Sequence, residues 1–421
     1  MKVVVIGNGG REHAIIKKIN QSPLVDKVFA LPGNGGISKD AECVNIGPKD
    51  ISGVVNFCLE NSIDFVIVSP DDPLVLGMVD ELEKVGISCF GPNKKAAIIE
   101  GSKVFSKNLM KKYNIPTAKY EIFNNSADAL CYLNTISFPI VIKADGLALG
   151  KGVIIAKTLV EAQNAVKSIM ENKIFGDSGS NIVIEEFLEG PEVSVLAFTD
   201  GKTLVPMVSS MDHKRALDND KGLNTGGMGT IAPNPYYTKK IEQECMEKIF
   251  IPTINAMRSE GRPFSGCLYF GLMLTKTGPK VIEYNCRFGD PEAQVVLPLL
   301  ETDLFEIMLN ISKKTLDKVD IKFSNNSACC VIVASGGYPE KYNTGYEIFL
   351  EDTIKSDLYF AGVKLDNNKL VTSGGRVVGV TSVDTSLVKA ISNAYSDVSK
   401  VHFENSYFRT DIGKGGLKIG I

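Results

Sequence analysis

The sequence predicts a mixed α/β and α+β protein: an open, doubly wound parallel-sheet domain at the N-terminus, an α+β middle, and a small β-rich C-terminal domain. Three observations carry this. Residues 1–93 repeat a cycle of apolar strand, glycine or proline turn, and helix; from Ser102 amphipathic helices alternate with strands; after Lys313 short strands predominate. The 421 residues suffice for two to four domains, and a chain 44% hydrophobic and 23% charged falls in the soluble globular class. The formal net charge is -3 and no Lys/Arg cluster dominates, so no nucleic-acid surface is expected and an anionic ligand must meet a local site. Nine cysteines include no Cys-x-x-Cys pair, and Cys89, Cys267 and Cys329 sit in apolar runs, which reads as reduced core residues of a cytoplasmic protein. The start MKVVVIGNGG lacks a signal-peptide core and no apolar run approaches ~18 residues, so neither export nor membrane spanning is expected.

In chain order, Lys2 to Ile6, Lys27 to Leu31, Asp64 to Ser69 and Ile87 to Phe90 read as buried parallel strands. Their turns are GNGG, PGNGG, SPDDP and GPN. Gly7 and Gly9 follow the first strand as a dinucleotide fingerprint requires, but Glu12 stands at the third glycine and no acidic residue ends the second strand. A nicotinamide cofactor is therefore not expected. Backbone N–H groups in this loop, at a helix N-terminus, are expected to hold the phosphate of a sugar-phosphate substrate, with Arg11 and His13 nearby.

From Ser102 the chain gives a helix SKVFSKNLMKKY, a strand TAKYEIF, a helix SADALCYLN and a strand FPIVIKAD. The run DGLALGKGVIIAK departs from a P-loop, because Gly146 to Gly150 encloses three residues and Gly152 follows the lysine where Ser or Thr is required. A glycine hairpin between two strands remains, able to fold amides over phosphates, and Lys143 would point toward the same phosphates. In NIVIEEFLEGPEVSVLAF, residues 181–198, a strand breaks at Gly190 and Pro191, which exposes backbone groups at Phe187 and Leu188 as a hinge reading an adenine edge would. Glu192 is placed to accept from ribose hydroxyls; a solvated acidic turn is the alternative. Residues 211–233 read as a long glycine-rich surface connection, of a length more often functional or disordered. His213 is one of three histidines, so a histidine-based metal site is not expected.

VIEYNCRFGDPE, residues 281–292, ends a strand in a carboxylate, an amide and a guanidinium. Glu283, Asn285 and Arg287 would share one face; two oxygen donors suit a hard divalent cation, and an arginine fork suits a carboxylate or phosphate. The alternative is an edge strand with solvated charges, Arg287 pairing with Asp290 or Glu292. The C-terminal part carries strands in ACCVIVASGG, YFAGV and RVVGVTSV and a helix near 386–399; TSGGR, 372–376, either walls a substrate site or merely turns between strands.

The ordered set GNGGREHA, PGNGG, EGSKVFSK, VIKADGLALGKGV, EEFLEGPEVS, MDHKR, NTGGMG, GLM and EYNCRFGDPE resembles the glycinamide ribonucleotide synthetase family of the ATP-grasp superfamily over essentially the whole chain. SPDDPLVLG departs from the family pattern and leaves Asp71 and Asp72 without a role. The resemblance implies an N-terminal domain 1–101, an ATP-grasp main lobe 102–122 with 191–325, a lid lobe 123–190 and a C-terminal domain 326–421. It implies that Lys103 and Lys143 meet the ATP phosphates, that residues 145–152 close over them with Gly146, Gly150, Lys151 and Gly152, and that Glu185, Glu186, Phe187 and Leu188 form the adenine hinge with Glu192 on the ribose. Glu283 and Asn285 would hold Mg²⁺ or Mn²⁺; the strand CLYFGLML adds no carboxylate, so ATP oxygens and water complete the shell. Asp212, His213 and Lys214 are placed on the active-site rim, with Arg287, Lys143, Asp212 and Lys214 as the catalytic set. Gly7, Asn8, Gly9, Gly10, Asn34, Asp212, Arg287 and Asp290 form the substrate set. The implied reaction joins glycine to 5-phosphoribosylamine with ATP, through glycyl phosphate, in purine synthesis; another ATP-grasp ligase, a ribonucleotide carboxylase or a non-catalytic ATP-binding regulator are the alternatives. Only small-molecule partners are expected, in a monomer, with a homodimer as the alternative.

Overall fold

The computed structural model describes residues 1–148 and 152–417. Strands β1 (Lys2–Gly7), β2 (Lys27–Pro32), β3 (Glu42–Cys43), β4 (Phe65–Val68) and β5 (Ser88–Phe90) form a parallel sheet in the order β3-β2-β1-β4-β5. The apolar runs are continuous because both faces are covered. Val4 and Ile6 pack with Val54, Cys58 and Val66 on one side, Val3 and Val5 with Ile15, Ile16 and Phe65 on the other.

The lid sheet has β6 (Tyr120–Phe123), β7 (Ile140–Ala144), β8 (Val153–Ala156) and β9 (Ile182–Glu186) in the antiparallel order β6-β9-β7-β8. It has its own core, in which Ile140, Ile142, Ile182 and Ile184 face Ala129, Leu133, Ala162 and Val166 of two covering helices. β7 and β8 pair directly, Lys143 opposite Val153, so the glycine-rich run joins two neighbouring strands as expected.

β10 (Glu192–Thr199) and β11 (Leu204–Pro206) begin the central sheet. The next segment holds β12 (Met211–Asp212), β13 (Arg215–Leu217), β14 (Lys221–Asn224) and β15 (Gly229–Ala232) before β16 (Gly266–Thr275) and β17 (Gly278–Asn285) complete the antiparallel order β11-β10-β16-β17. Residues 211–233 are thus not the irregular surface connection expected. β13 and β14 pair as a hairpin, while β12 and the wholly buried β15 join the C-terminal sheet by way of β18 (Ser327–Ser335). Strands of two to four residues interrupted by Gly226, Gly227 and Gly229 give too short an alternation to read. Strands Arg376–Asp384 and Asp357–Phe360 extend that sheet beyond β18, and helix Leu387–Val398 packs on it with Ser386 capping the amide of Lys389.

Candidate active site

The site grows from the end of β17. Glu283 stands opposite Gly271 of β16, and a Cβ at 271 would lie 3.1 Å from the Glu283 Cγ, so the glycine makes room for the carboxylate. Glu283, Asn285 and Arg287 all line one cavity, as their alternation predicts. Burial alone would raise the Glu283 carboxyl, but Lys214, Lys143, Lys103 and Arg287 outweigh it and hold the group below the usual carboxylate range.

One buried carboxylate organises this strand end, and sequence reasoning missed it. Glu100, 7% exposed, accepts from the Cys286 N–H at 2.7 Å and from Arg287 Nη2 at 2.8 Å. The hydrogen-bond surroundings orient the Asn285 amide nitrogen toward Glu100 Oε1, 3.0 Å away, and Tyr284 O, 3.2 Å away. The Asn285 carbonyl oxygen then faces away from Glu100. Arg287 does not pair with Asp290 or Glu292; its ionic partners are Glu100 and, at 3.7 Å, Asp71 of the divergent SPDDP stretch. Its Nε is buried without a hydrogen-bond partner among the described residues. Glu100 opens the EGSKVFSK run, a signal present in the sequence, but nothing in it shows that a helix end 187 residues away from Arg287 turns toward it.

Above the strand end stand lysines from the lid strand β7 and from the helix Lys103–Lys112 of the main lobe. Lys143 Nζ donates to Ile282 O at 3.0 Å and lies 3.1 Å from Glu185 Oε1, an ion pair outside hydrogen-bond geometry; Lys107 Nζ lies 3.1 Å from Glu185 Oε2. All three residues are buried. Glu185 therefore lines the cavity with its carboxylate held between two ammonium groups. Burial brings the Lys107 ammonium down to about 8, with Glu185 acting in the opposite sense. Lys103 Nζ donates to Gly146 O at 3.1 Å, and Gly152 lines the cavity. Gly150 and Lys151 lie outside the described residues. Glu186 points to the other face of β9, where Lys280 Nζ meets it at 2.8 Å. Phe187 and Leu188 follow β9 in the break before β10; at Gly190, φ +152°, a Cβ would collide with Leu274 O, so only glycine fits the turn.

Asp212 and Lys214 line the same cavity from β12 and the residues after it. Burial and the neighbouring Glu292 carboxylate raise the Asp212 carboxyl well above its ordinary value. Lys214 reaches Glu192 Oε2 at 3.0 Å, so the expected ribose acceptor is paired here. Glu292 Oε1 accepts from Tyr269 Oη at 3.1 Å and Ser194 Oγ at 3.3 Å. His213 belongs elsewhere: its Nε2 accepts from the Gly413 N–H at 3.1 Å and its Nδ1 lies 3.2 Å from Gly229 O. Alternation accounts for the difference, since 212 and 214 face one side and 213 the other.

The N-terminal glycine loop departs from the expected open phosphate cradle. Glu12 folds back so that its Oε2 accepts from the Gly9 N–H at 2.6 Å, while Oε1 accepts from Ser69 Oγ at 2.6 Å and Arg11 Nε at 2.7 Å. A carboxylate thus occupies that loop amide, completing a capping arrangement at the helix start. Gly7 is required by the close approach of Glu12 at φ +119°, and Gly10 by the amide of Gln294. Arg11 lines the main cavity, whereas His13 bonds Asp40 at 2.8 Å and accepts from the Phe360 N–H at 2.8 Å.

Asn8, Gly9 and Asn34 line a second cavity of about 640 Å³, with residues 361–365 and 373–374 of the C-terminal part opposite. Asn34 is fixed there, donating to Asn8 O and Phe360 O and accepting from the Gly36 and Ile37 amides. TSGGR, whose role the sequence left open, contributes to this wall, and Asp290 and Arg376 line both cavities.

The comparisons with known proteins agree across the chain. Models of the N domain, the ATP-grasp (A) domain and the C domain of phosphoribosylglycinamide synthetase match residues 1–100, 101–293 and 328–415. The chain is 48% identical over 416 residues to a phosphoribosylamine–glycine ligase of Caldanaerobacter subterraneus subsp. tengcongensis, covering 99% of this chain and 100% of that protein. It is 46% identical over 420 residues to the protein of that name from Escherichia coli O6:H1, covering 98% of each. Among solved structures, a phosphoribosylamine–glycine ligase from Thermotoga maritima superposes with a TM-score of 0.85 at 34% identity, over 98% of this chain and 100% of that one. A biotin carboxylase from Campylobacter jejuni shares the fold alone, with a TM-score of 0.76 at 12% identity, over 97% of this chain and 92% of that one.

Proposed function

The chain belongs to the phosphoribosylglycinamide synthetase family, and on that premise we propose that its two cavities join glycine to 5-phosphoribosylamine with ATP, as a carbon–nitrogen ligase of purine biosynthesis. One observation supports this most: Lys103 from the helix Lys103–Lys112, Lys143 from the lid sheet, and Glu283, Asn285 and Arg287 from the end of β17 in the central sheet converge on one cavity that shares a wall with a second. In the first step a glycine carboxylate oxygen attacks the γ-phosphorus of ATP and ADP leaves, giving glycyl phosphate. In the second the amine nitrogen attacks the acyl carbon; a C–N bond forms, the C–O bond to phosphate breaks, phosphate leaves with the electron pair, and the nitrogen loses a proton. No side-chain nucleophile is needed. The site has to neutralise charge and exclude water.

The chain's residues divide that work. Lys103 and Lys143 offset the polyphosphate charge, with Gly146 bonded to Lys103 and Gly152 in the cavity wall beside them. Arg287 holds the glycine carboxylate through the face that includes its unpartnered Nε, fixed from behind by Glu100. Glu185, Phe187 and Leu188 take the adenine, Glu192 the ribose, and Asp212 and Lys214 the substrate side, while Glu186 stays on the other face of β9 with Lys280. Glu283 and Asn285 fit a hard divalent cation, because both present oxygen on one strand face and the Asn285 nitrogen is turned to Glu100. Magnesium or manganese there would supply neutralisation of the phosphate charge. The second cavity takes the phosphoribosyl group, with Asn8, Gly9 and Asn34 in its wall. No helix among the described residues is long and apolar enough to cross a membrane.

ADP release by the purified protein with ATP, Mg²⁺ and 5-phosphoribosylamine tests the assignment. Release should require glycine, fail with alanine, and match glycinamide ribonucleotide formed. Release that is indifferent to glycine would overturn it.

A further inference from the structure

Arg376, which closes the TSGGR motif, is the residue through which the C-terminal sheet reaches both cavities. Its Nη1 donates to Gly226 O at 2.8 Å, Asp290 O at 2.9 Å and Gly227 O at 3.3 Å, and its Nη2 lies 3.3 Å from Asp290 Oδ2. Asp290 is held in turn by Gln294 Nε2 at 2.8 Å. The Gly226–Gly227 turn is pressed between the guanidinium and Asp212. A Cβ at Gly226 would lie 2.9 Å from Arg376 Cζ, and one at Gly227, φ +115°, would lie 2.6 Å from Asp212 Oδ1. Asp212, the glycine turn, Arg376 and Asp290 therefore form one continuous wall between the cavities.

We propose that Arg376, paired with Asp290, is a positioning residue that sets the path by which the amine held in the second cavity meets the activated glycine in the first. The proposal rests on the ligase reading above. The first step needs only ATP and glycine in the main cavity, and the second alone requires alignment across the wall. A guanidinium that ties three carbonyls and a carboxylate fixes that alignment in a way a single point charge does not. The loss expected on removing it falls on coupling rather than on activation of glycine.

Two measurements separate the steps. Glycine activation is read without ribosylamine, as glycine-dependent scrambling of oxygen label between the β,γ-bridge and β-nonbridge positions of ATP. Coupling is read as glycinamide ribonucleotide formed per ADP released, with 5-phosphoribosylamine generated from ribose 5-phosphate and ammonia. Arg376→Met should keep scrambling within about threefold of the parent while product per ADP falls about tenfold or more, and Arg376→Lys should fall between them. Equal loss of scrambling and product, or unchanged product per ADP, would overturn the role. Should Arg376→Met fail to fold, Gly226→Ala, whose Cβ displaces the guanidinium, must give the same split. A parent protein that shows no glycine-dependent scrambling and no product would instead refute the ligase reading itself.

Discussion

Lys143 and Glu185 meet 3.1 Å apart beneath the lid sheet, both buried, with Lys107 at the same distance from the other carboxylate oxygen. Desolvating two ammonium groups is costly, and a carboxylate between them is what keeps such an arrangement tolerable. The lysine assigned to the phosphates is thus pre-positioned by an internal anion.

Lys143→Met should therefore lower turnover by ~10²-fold or more while the fold survives, because Lys107 still neutralises Glu185. Glu185→Leu, which leaves two buried ammonium groups, should instead destabilise by about 3–5 kcal/mol. Steady-state rates and thermal unfolding of both variants check this, and near-normal turnover in Lys143→Met would remove that lysine from the phosphate site.

Glu283→Gln keeps the side-chain shape but deletes a charge from an oxygen pair suited to a hard cation. Activity should fall and the Mg²⁺ concentration for half-maximal rate should rise. Mn²⁺ binding by the variant, followed by electron paramagnetic resonance in the presence of ATP, should weaken in parallel. An unchanged metal titration would refute the ligand role.

Glu100→Gln turns one of the oxygens that receive Cys286, Arg287 and Asn285 into a donor, so one of those donors must lose its acceptor. Leaving a buried donor unpaired costs about 1–3 kcal/mol, and the freed Arg287 fork should raise the KM for glycine more than that for ATP. A variant with equal changes in both constants would show that Glu100 supports the fold without orienting Arg287.

Stability should also depend on pH through His13 and His213. Burial, the largest influence on each, lowers both below the ordinary 6.5, so unfolding takes up protons. Their contribution is then fully present above about pH 6.5 and lost as pH falls through that value toward the folded-state pKa. Asp40, bonded to His13, is lowered from 3.8 and acts only in a more acidic window. Melting temperature measured from about pH 7.5 to 5 should drop on the acid side, and a flat profile would contradict the account.

What the sequence made legible follows from local periodicity. The parallel strands of residues 1–93, the paired strands around the glycine run and the shared face of Glu283, Asn285 and Arg287 all rest on neighbours along the chain. Glu100 and Asp71 were not legible as parts of the site, and Arg376 only through the open reading of TSGGR, because each meets its partner only through tertiary packing. Residues 211–233 looked irregular because their strands are too short to alternate and one of them, β15, pairs with β18 about a hundred residues further on. Glu12 differs: it lies three residues from Gly9 and closes a local capping box on that amide, a short-range pattern present in the sequence where a phosphate was expected.

The central claim is that glycine's carboxylate is activated at the Arg287 face of the main cavity. The most direct measurement is glycine and ATP kinetics of Arg287→Lys, normalised to folded protein from its melting curve. Lysine retains the charge but loses the planar fork and the Nε donor, so kcat/KM for glycine should fall by an amount worth about 2 to 4 kcal/mol while the KM for ATP stays near that of the parent. A variant that melts earlier through loss of the Glu100 pair, yet turns over glycine normally per folded molecule, would contradict the claim.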